Sequence, residues 1–281
     1  MMNKKLRIWK DRLIMTPIMI MHVILAIIIL LPIFWVLMSS FKPEPKIIAY
    51  PPTLTPESFT INNFIKVQQR IDIMGYIKNS LIYAFGATIP AIFINSLAAY
   101  AFARYKFKGK DILFMIFLAT MMVPFQVIMV PLFLEVHAFG MYNTYHGLII
   151  PRVASAYWIF MLRAAFAGLP KELEEAARID GLTEFGIYHR IMMPQIVPAI
   201  ITMLILGVNG NWNDLLWPLL MTSSVRMTML ANGLAIFVGS RTSEYGAAFA
   251  GSFLSLIPML VLYIFGQKYF VEGQVTTGLK G

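Results

Sequence analysis

The 281-residue sequence contains no cysteine, which excludes disulfides, thiolate metal sites and a cysteine nucleophile and leaves the redox compartment open. Charge is scarce as well. Asp, Glu, Lys and Arg make up 13% of the chain, against 58% hydrophobic residues and a mean hydropathy of +0.70. A water-soluble fold of this composition would expose apolar surface over most of its exterior, so the expected solvent is a bilayer. The four histidines show no metal-ligand spacing, and a His-Glu-x-x-His segment is missing. Asp214 is the one acidic residue well inside an apolar run, where an intramembrane aspartyl protease needs two. Lys108-Gly109-Lys110 lacks the upstream Gly and downstream Ser/Thr of a phosphate-binding loop. Catalytic residues, metal ligands and cofactor-binding residues are therefore not expected in this chain.

What is present is a set of six apolar runs, each near the ~20 helical residues that span a ~30 Å hydrocarbon layer. They cover about 17–38, 76–103, 111–134, 148–166, 195–221 and 245–265. The first follows the basic start Lys4, Lys5, Arg7, Lys10 and Arg12. It is too long for a signal peptide and no small-x-small cleavage site follows, so it reads as a retained span. The Pro-rich, charged stretch 39–75 is extramembrane, and Pro124 and Pro131 predict kinks in the third span. Gly246, Ala247, Ala248, Ala250, Gly251 and Ser252 in the sixth permit close helix approach. The twenty methionines read as packing filler.

The net charge of +9 is spread through short loops, which fits membrane topology and not a nucleic-acid partner. Six crossings put 15 Lys and Arg on the side of the termini and 8 on the other, so both termini are expected in the cytoplasm. The expected layout is a cytoplasmic start, 1–16, a transmembrane domain, 17–268, with an extracytoplasmic loop at 39–75 and a cytoplasmic loop at 168–194, and a cytoplasmic tail, 269–281.

Two segments carry candidate function. In the cytoplasmic loop, Pro170 suits a first helical position, Glu172, Glu174 and Glu175 complement a helix amino end, and Gly181 supplies a left-handed closing residue. Thr183 then caps a second helix running to Pro194, giving a helix-turn-helix too short and too charged to cross a membrane. Taken alone, such a helix also fits an amphipathic rod on the membrane surface. In span five, Asn209 and Asn213 share a helix face with Trp212 beside them, and Asp214 lies about 100° further round. They suit hydrogen bonding and stacking on a sugar in a hydrated path, or ties between helices. Asn95, Ser96 and Gln126 are weaker candidates of the same kind. Neither ion-coupling charges nor internal repeats support a secondary transporter.

Glu175-Ala176-Ala177, three residues, Gly181, nine residues, Ile191, one residue, then Met193 where Leu is favoured and Pro194: this resembles the EAA loop of permease subunits of binding-protein-dependent ABC importers. Ser39-Ser40-Phe41-Lys42, Arg104-Tyr105-Lys106-Phe107-Lys108-Gly109, Pro124-Phe125-Gln126, Asn211-Trp212-Asn213, Trp217-Pro218 and Phe270-Val271-Glu272-Gly273 resemble the carbohydrate-uptake branch typified by the maltose permease. The resemblance implies an all-α membrane protein with six transmembrane helices, the type I importer permease fold, and a cytoplasmic coupling helix. It also implies a non-catalytic, multi-pass subunit of the bacterial cell membrane that translocates a sugar or oligosaccharide, with glycerol phosphate or another polar solute as the alternative. Glu174, Glu175, Ala176, Ala177, Arg178, Asp180, Gly181, Ile191 and Pro194 would engage an ATP-binding subunit dimer, which supplies ATP and Mg. Asn209, Trp212, Asn213, Asn95 and Gln126 would line the path. A second permease subunit, most simply a different one, and an extracytoplasmic solute-binding protein complete the implied partners.

Overall fold

A computed structural model describes the backbone of residues 2–238 and 244–278 and the side chains of 15–238 and 244–268. The side chains of Lys4 to Arg12 and of Phe270 to Gly273, and all of Arg241, lie outside the described set. Every regular element among the described residues is helical: α1 (Met2–Ser40), α2 (Glu44–Ile47), α3 (Asn62–Arg70), α4 (Ile73–Arg104), α5 (Lys110–Thr120), α6 (Phe125–Ala138), α7 (Tyr145–Ile149), α8 (Ala156–Ala167) and α9 (Glu172–Ile179), then α10 (Glu184–Gly186), a π-helical stretch Ile187–Met192, α11 (Met193–Gln195), α12 (Val197–Trp212), α13 (Leu216–Met221), α14 (Leu230–Leu234) and α15 (Tyr245–Gly278). Among them α1, α4 and α15 are each long and apolar enough to cross a membrane alone. Three bent helix pairs bring the total up to six by length and composition if each pair counts as one span.

The chain forms two compact units. The first comprises residues 1–71 and 234–254. Residues 15–34 of α1 are apolar almost throughout yet exposed, as expected of a helix whose surroundings are lipid and not water. At its end the chain turns inward: Ser39, Ser40 and Lys42 are buried, and the Asn63 amide donates to the carbonyls of Ser40 (2.9 Å) and Lys42 (2.8 Å). Those carbonyls have no helical partner, so Asn63 supplies one. The Lys42 ammonium lies 4.5 Å from the Trp35 ring and donates to the Thr53 carbonyl. A methyl group at Gly246 would collide with the Asn63 amide, and Ala247 and Ala250 are fully buried, so the small-residue stretch permits the close approach expected of it.

The second unit, residues 72–233 and 255–281, is built around α4, which packs against α8 and α12. Asp72 caps α4 by accepting from the Gly75 N–H at 3.0 Å. The face of α4 bearing Ala84, Ala87, Ala91 and Ala99 is buried and lets neighbouring backbones come near. Three of the other expected spans are interrupted. The third breaks at residues 121–124 with a 97° bend, because Pro124 has no N–H for the Thr120 carbonyl, whereas α6 runs on through Pro131. Of the two prolines, the break falls at Pro124. The fourth is split by a 3-10 turn, Ile150–Arg152, and bends 47° before α8. The stretch expected as span five, 195–221, is α12, a break at 213–215, and α13. Pro218 cannot donate to the Asp214 carbonyl, and the Asp214 side chain instead accepts from the Trp217 N–H at 3.3 Å.

Candidate functional site

Two places in the second unit gather the polar chemistry. The first is the turn between α9 and α10. Glu172, Glu174 and Glu175 occupy the first turn of α9, where the helix dipole favours negative charge. Pro170 lies before the helix and not at its first position, so α9 starts two residues later than expected. At the other end the Leu182 N–H donates to the Ala177 carbonyl (3.0 Å) and the Gly181 N–H to the Arg178 carbonyl (3.0 Å), with Gly181 at φ +80°. This pair of bonds is the Schellman closure, which needs a residue in the left-handed region. Thr183 caps the next helix, accepting from the Gly186 N–H at 3.2 Å.

Side chains fix the turn to the membrane helices. Arg104, the last residue of α4, places its Nε 3.3 Å from the Glu174 carboxylate, and the two side chains are only 6% and 8% exposed. The Arg104 Nη2 also donates to the carbonyls of Leu169 (2.9 Å) and Pro170 (3.3 Å), satisfying the approach to α9. Across the turn, Arg178 grips Glu184 with two bonds, Nε at 2.8 Å and Nη2 at 3.1 Å, and the Tyr105 hydroxyl donates to the same carboxylate at 3.0 Å. The Arg178 guanidinium holds the Glu184 carboxyl below the usual carboxylate range and is itself pushed up by that bond. Burial and the bond to Glu184 raise the Tyr105 phenol, so it stays a proton donor at neutral pH.

The expected coupling residues therefore divide between two faces. Glu174 and Ala177 point into the unit, and Ile191 is half-buried against the same core. Glu174 is not a free surface charge: as a buried partner of Arg104 it belongs to the support of α9. Arg178 is exposed but engaged with Glu184. Glu175, Ala176, Asp180, Gly181 and Pro194 are exposed. Sequence reasoning missed two apolar residues on this surface, Ile179 (87% exposed) and Phe185 (58%), the latter stacked on His189 at 6.3 Å. Glu172, Glu175, Ala176 and Ile179 fall at i, i+3, i+4 and i+7, so the stripe was readable once the inward face was known.

The second place is a cavity of about 740 Å³ lined by α4, the α5–α6 bend, the broken part of the fourth span with the start of α8, and α12 with the break that follows it. Its polar lining includes Thr88, Ser155, Asn211, Arg152 and Asp214, with the rings of Tyr157 and Trp158. Arg152 and Asp214, one from each interrupted span, form an ion pair. Asp214 also accepts from the Tyr83 hydroxyl at 2.9 Å, and the Arg152 guanidinium lies 4.2 Å from the Phe125 ring. Arg152 reads from the sequence as a boundary charge at a span end, and only the fold reveals its partner. Opposite charges in two separate apolar runs were the available signal.

Of the five residues expected to line a path, none lines this cavity. Asn95 is fully buried and its amide is saturated: it donates to the Ala91 (2.6 Å) and Val153 (2.9 Å) carbonyls and accepts from the Ser155 N–H (2.9 Å). It thereby satisfies backbone groups that the break in span four leaves open. Trp212 is buried and donates to the Ser255 hydroxyl at 3.2 Å. Asn213 bonds back to Asn209 (3.1 Å between side chains), and both are exposed, as is Gln126.

Known proteins resemble this chain over nearly its whole length. It is 35% identical over 262 residues to the arabinooligosaccharides transport system permease protein AraQ of Bacillus subtilis, covering 92% of each chain. To the protein of the same name from Halalkalibacterium halodurans it is 34% identical over 260 residues, covering 92% of this chain and 93% of the other. Among solved structures, a chain of a bacterial ABC transporter involved in the import of the acidic polysaccharide alginate superposes with a TM-score of 0.79 at 22% identity, covering 93% of this chain and 98% of that one. Residues 91–271 match the family described as binding-protein-dependent transport system inner membrane component, and the chain belongs to that family.

Proposed function

We propose that this permease carries a saccharide through the membrane as one half of a two-permease pathway. The work is driven by a dimer of ATP-binding subunits that dock on the α9 turn. The relatives named for arabino-oligosaccharides support the solute class. The observation that carries the mechanical reading is the α9–α10 turn itself. It is closed by Gly181, braced to α4 through Arg104–Glu174 and cross-tied through Arg178–Glu184, yet it leaves Glu175, Ala176 and Ile179 open on one face.

A small-residue face beside an exposed apolar side chain suits insertion into a cleft, and the buried brace makes α9 move with α4 instead of bending against it. ATP and Mg belong to the docking subunit, and this chain contributes no catalytic group. When the ATP-binding subunits close, the turn is displaced, and α4 with α8 and α12 packed on it shifts as a body between discrete packings. The excess of basic residues puts this turn and both termini in the cytoplasm. A solute-binding protein delivers the saccharide on the opposite side, and the cavity at Arg152 and Asp214 receives it.

The test is reconstitution. The assembled complex in proteoliposomes takes up arabino-oligosaccharide only with ATP on the α9 side and with the binding protein on the other. A Gly181→Trp variant of normal abundance keeps ATP hydrolysis and loses most uptake. Unchanged uptake in that variant contradicts the coupling role.

A further inference from the structure

The cavity brings together two broken helices, an ion pair and aromatic rings. Non-helical backbone at membrane depth is tolerated where it is buried in protein or faces water, so the interruptions at 153–155 and 213–215 mark a hydrated site. Arg152 and Asp214 are the only charged residues lining it among the described residues. They are not equivalent. Both Asp214 oxygens are engaged, Oδ2 by Arg152 and the Tyr83 hydroxyl and Oδ1 by the Trp217 N–H. The Arg152 Nε is buried with no hydrogen-bond partner. The net charge of the cavity lining is therefore zero, because Asp214 cancels Arg152.

Building on the importer reading above, we infer that this cavity selects an uncharged saccharide and that Asp214 is the residue that sets this preference. Sugar hydroxyls can meet Asn211 and Ser155, and the rings of Tyr157 and Trp158, 4.7 Å apart and edge to face, offer an apolar wall for a sugar face. A uronic acid gains no net attraction here. Its carboxylate would have to compete with Asp214 for Arg152, and burial of the resulting second anion is costly. The preference is therefore held by one carboxylate and is reversible by removing it.

The experiment measures equilibrium binding of two probes, maltotriose and trigalacturonate, to the purified whole complex in lipid nanodiscs without the binding protein, so that receptor selectivity does not enter. The wild type binds maltotriose at least tenfold more tightly. Asp214→Asn leaves Arg152 uncancelled and moves the ratio at least tenfold toward trigalacturonate, and the double variant Arg152→Gln/Asp214→Asn returns it. Asn211→Arg adds positive charge while keeping the ion pair, and it shifts the ratio in the same direction even if Asp214→Asn assembles poorly. Equal binding of both probes by the wild type, binding of neither, or an unchanged ratio in Asn211→Arg and in assembled Asp214→Asn overturns the inference. ATP-driven maltotriose uptake by the same complexes separates the two readings. Uptake with an unmoved ratio removes the inference alone, and absence of ATP-driven uptake of any saccharide removes the importer reading beneath it.

Discussion

Arg104 ends the longest internal helix, Glu174 sits in the first turn of α9, and their charged groups meet at 3.3 Å with almost no access to solvent. Seventy residues apart in sequence, they make the coupling turn continuous with the α4 scaffold. Removing one partner strands the other as a buried charge, which typically costs about 3–5 kcal/mol, whereas removing both costs less. Arg104→Gln is thus expected to lower the thermal midpoint of the complex strongly. The double variant Arg104→Gln/Glu174→Gln should recover part of the loss. Additive losses would show that the pair does not act as a unit.

Gly181 offers a cleaner probe of stability, because a β-carbon there meets nothing within 4 Å in this chain and its cost to the fold is that of the backbone. At φ +80° a β-carbon costs about 1–2 kcal/mol, least for Asn and most for a β-branched residue. Stability and coupled uptake should fall in the order Gly, Asn, Ala, Val. Equal behaviour of Asn and Val would contradict the left-handed closure.

The Arg178–Glu184 tie predicts a pH dependence. The Glu184 carboxyl is depressed by its bonds to Arg178 and Tyr105, so its contribution is complete above the unfolded carboxylate value of about 4.3 and is lost as pH falls through the lower, folded value. Wild type should be more stable than Glu184→Gln at pH 7, and the gap should narrow progressively as pH falls below about 4.3. A gap that does not narrow at all on acidification would assign the effect to packing.

Much of this was legible in the sequence, for identifiable reasons. Composition and run length announce the membrane helices because lipid imposes a simple length rule, and the Glu175 to Gly181 spacing announces the turn because a left-handed closure admits few residues. Helix breaks at residues 150–155 and 213–215 were not legible, since a proline within an apolar run permits a break without dictating one: α6 passes through Pro131 unbroken. Nor were the inward assignments of Glu174 and Asn95, because which face of a helix is buried depends on partners dozens of residues away.

Asn95 shows the difference this makes. With its amide joined to Val153 and Ser155 it acts as a clamp on the broken fourth span, and Asn95→Leu leaves one carbonyl and one N–H without those partners. We expect a loss of about 2 kcal/mol in stability with saccharide discrimination in the assembled fraction unchanged. A change in discrimination at unchanged stability would return Asn95 to the solute path.

The lever role of α9 is tested most directly by where Ile179 lies in the working complex. Because the chain has no cysteine, Ile179→Cys carries its only thiol, to which a photoactivatable maleimide can be attached. Irradiation should join this chain to the ATP-binding subunit, and in intact cells a membrane-impermeant maleimide should leave the thiol unmodified. Labelling from outside, or irradiation products that never include the ATP-binding subunit, would contradict it.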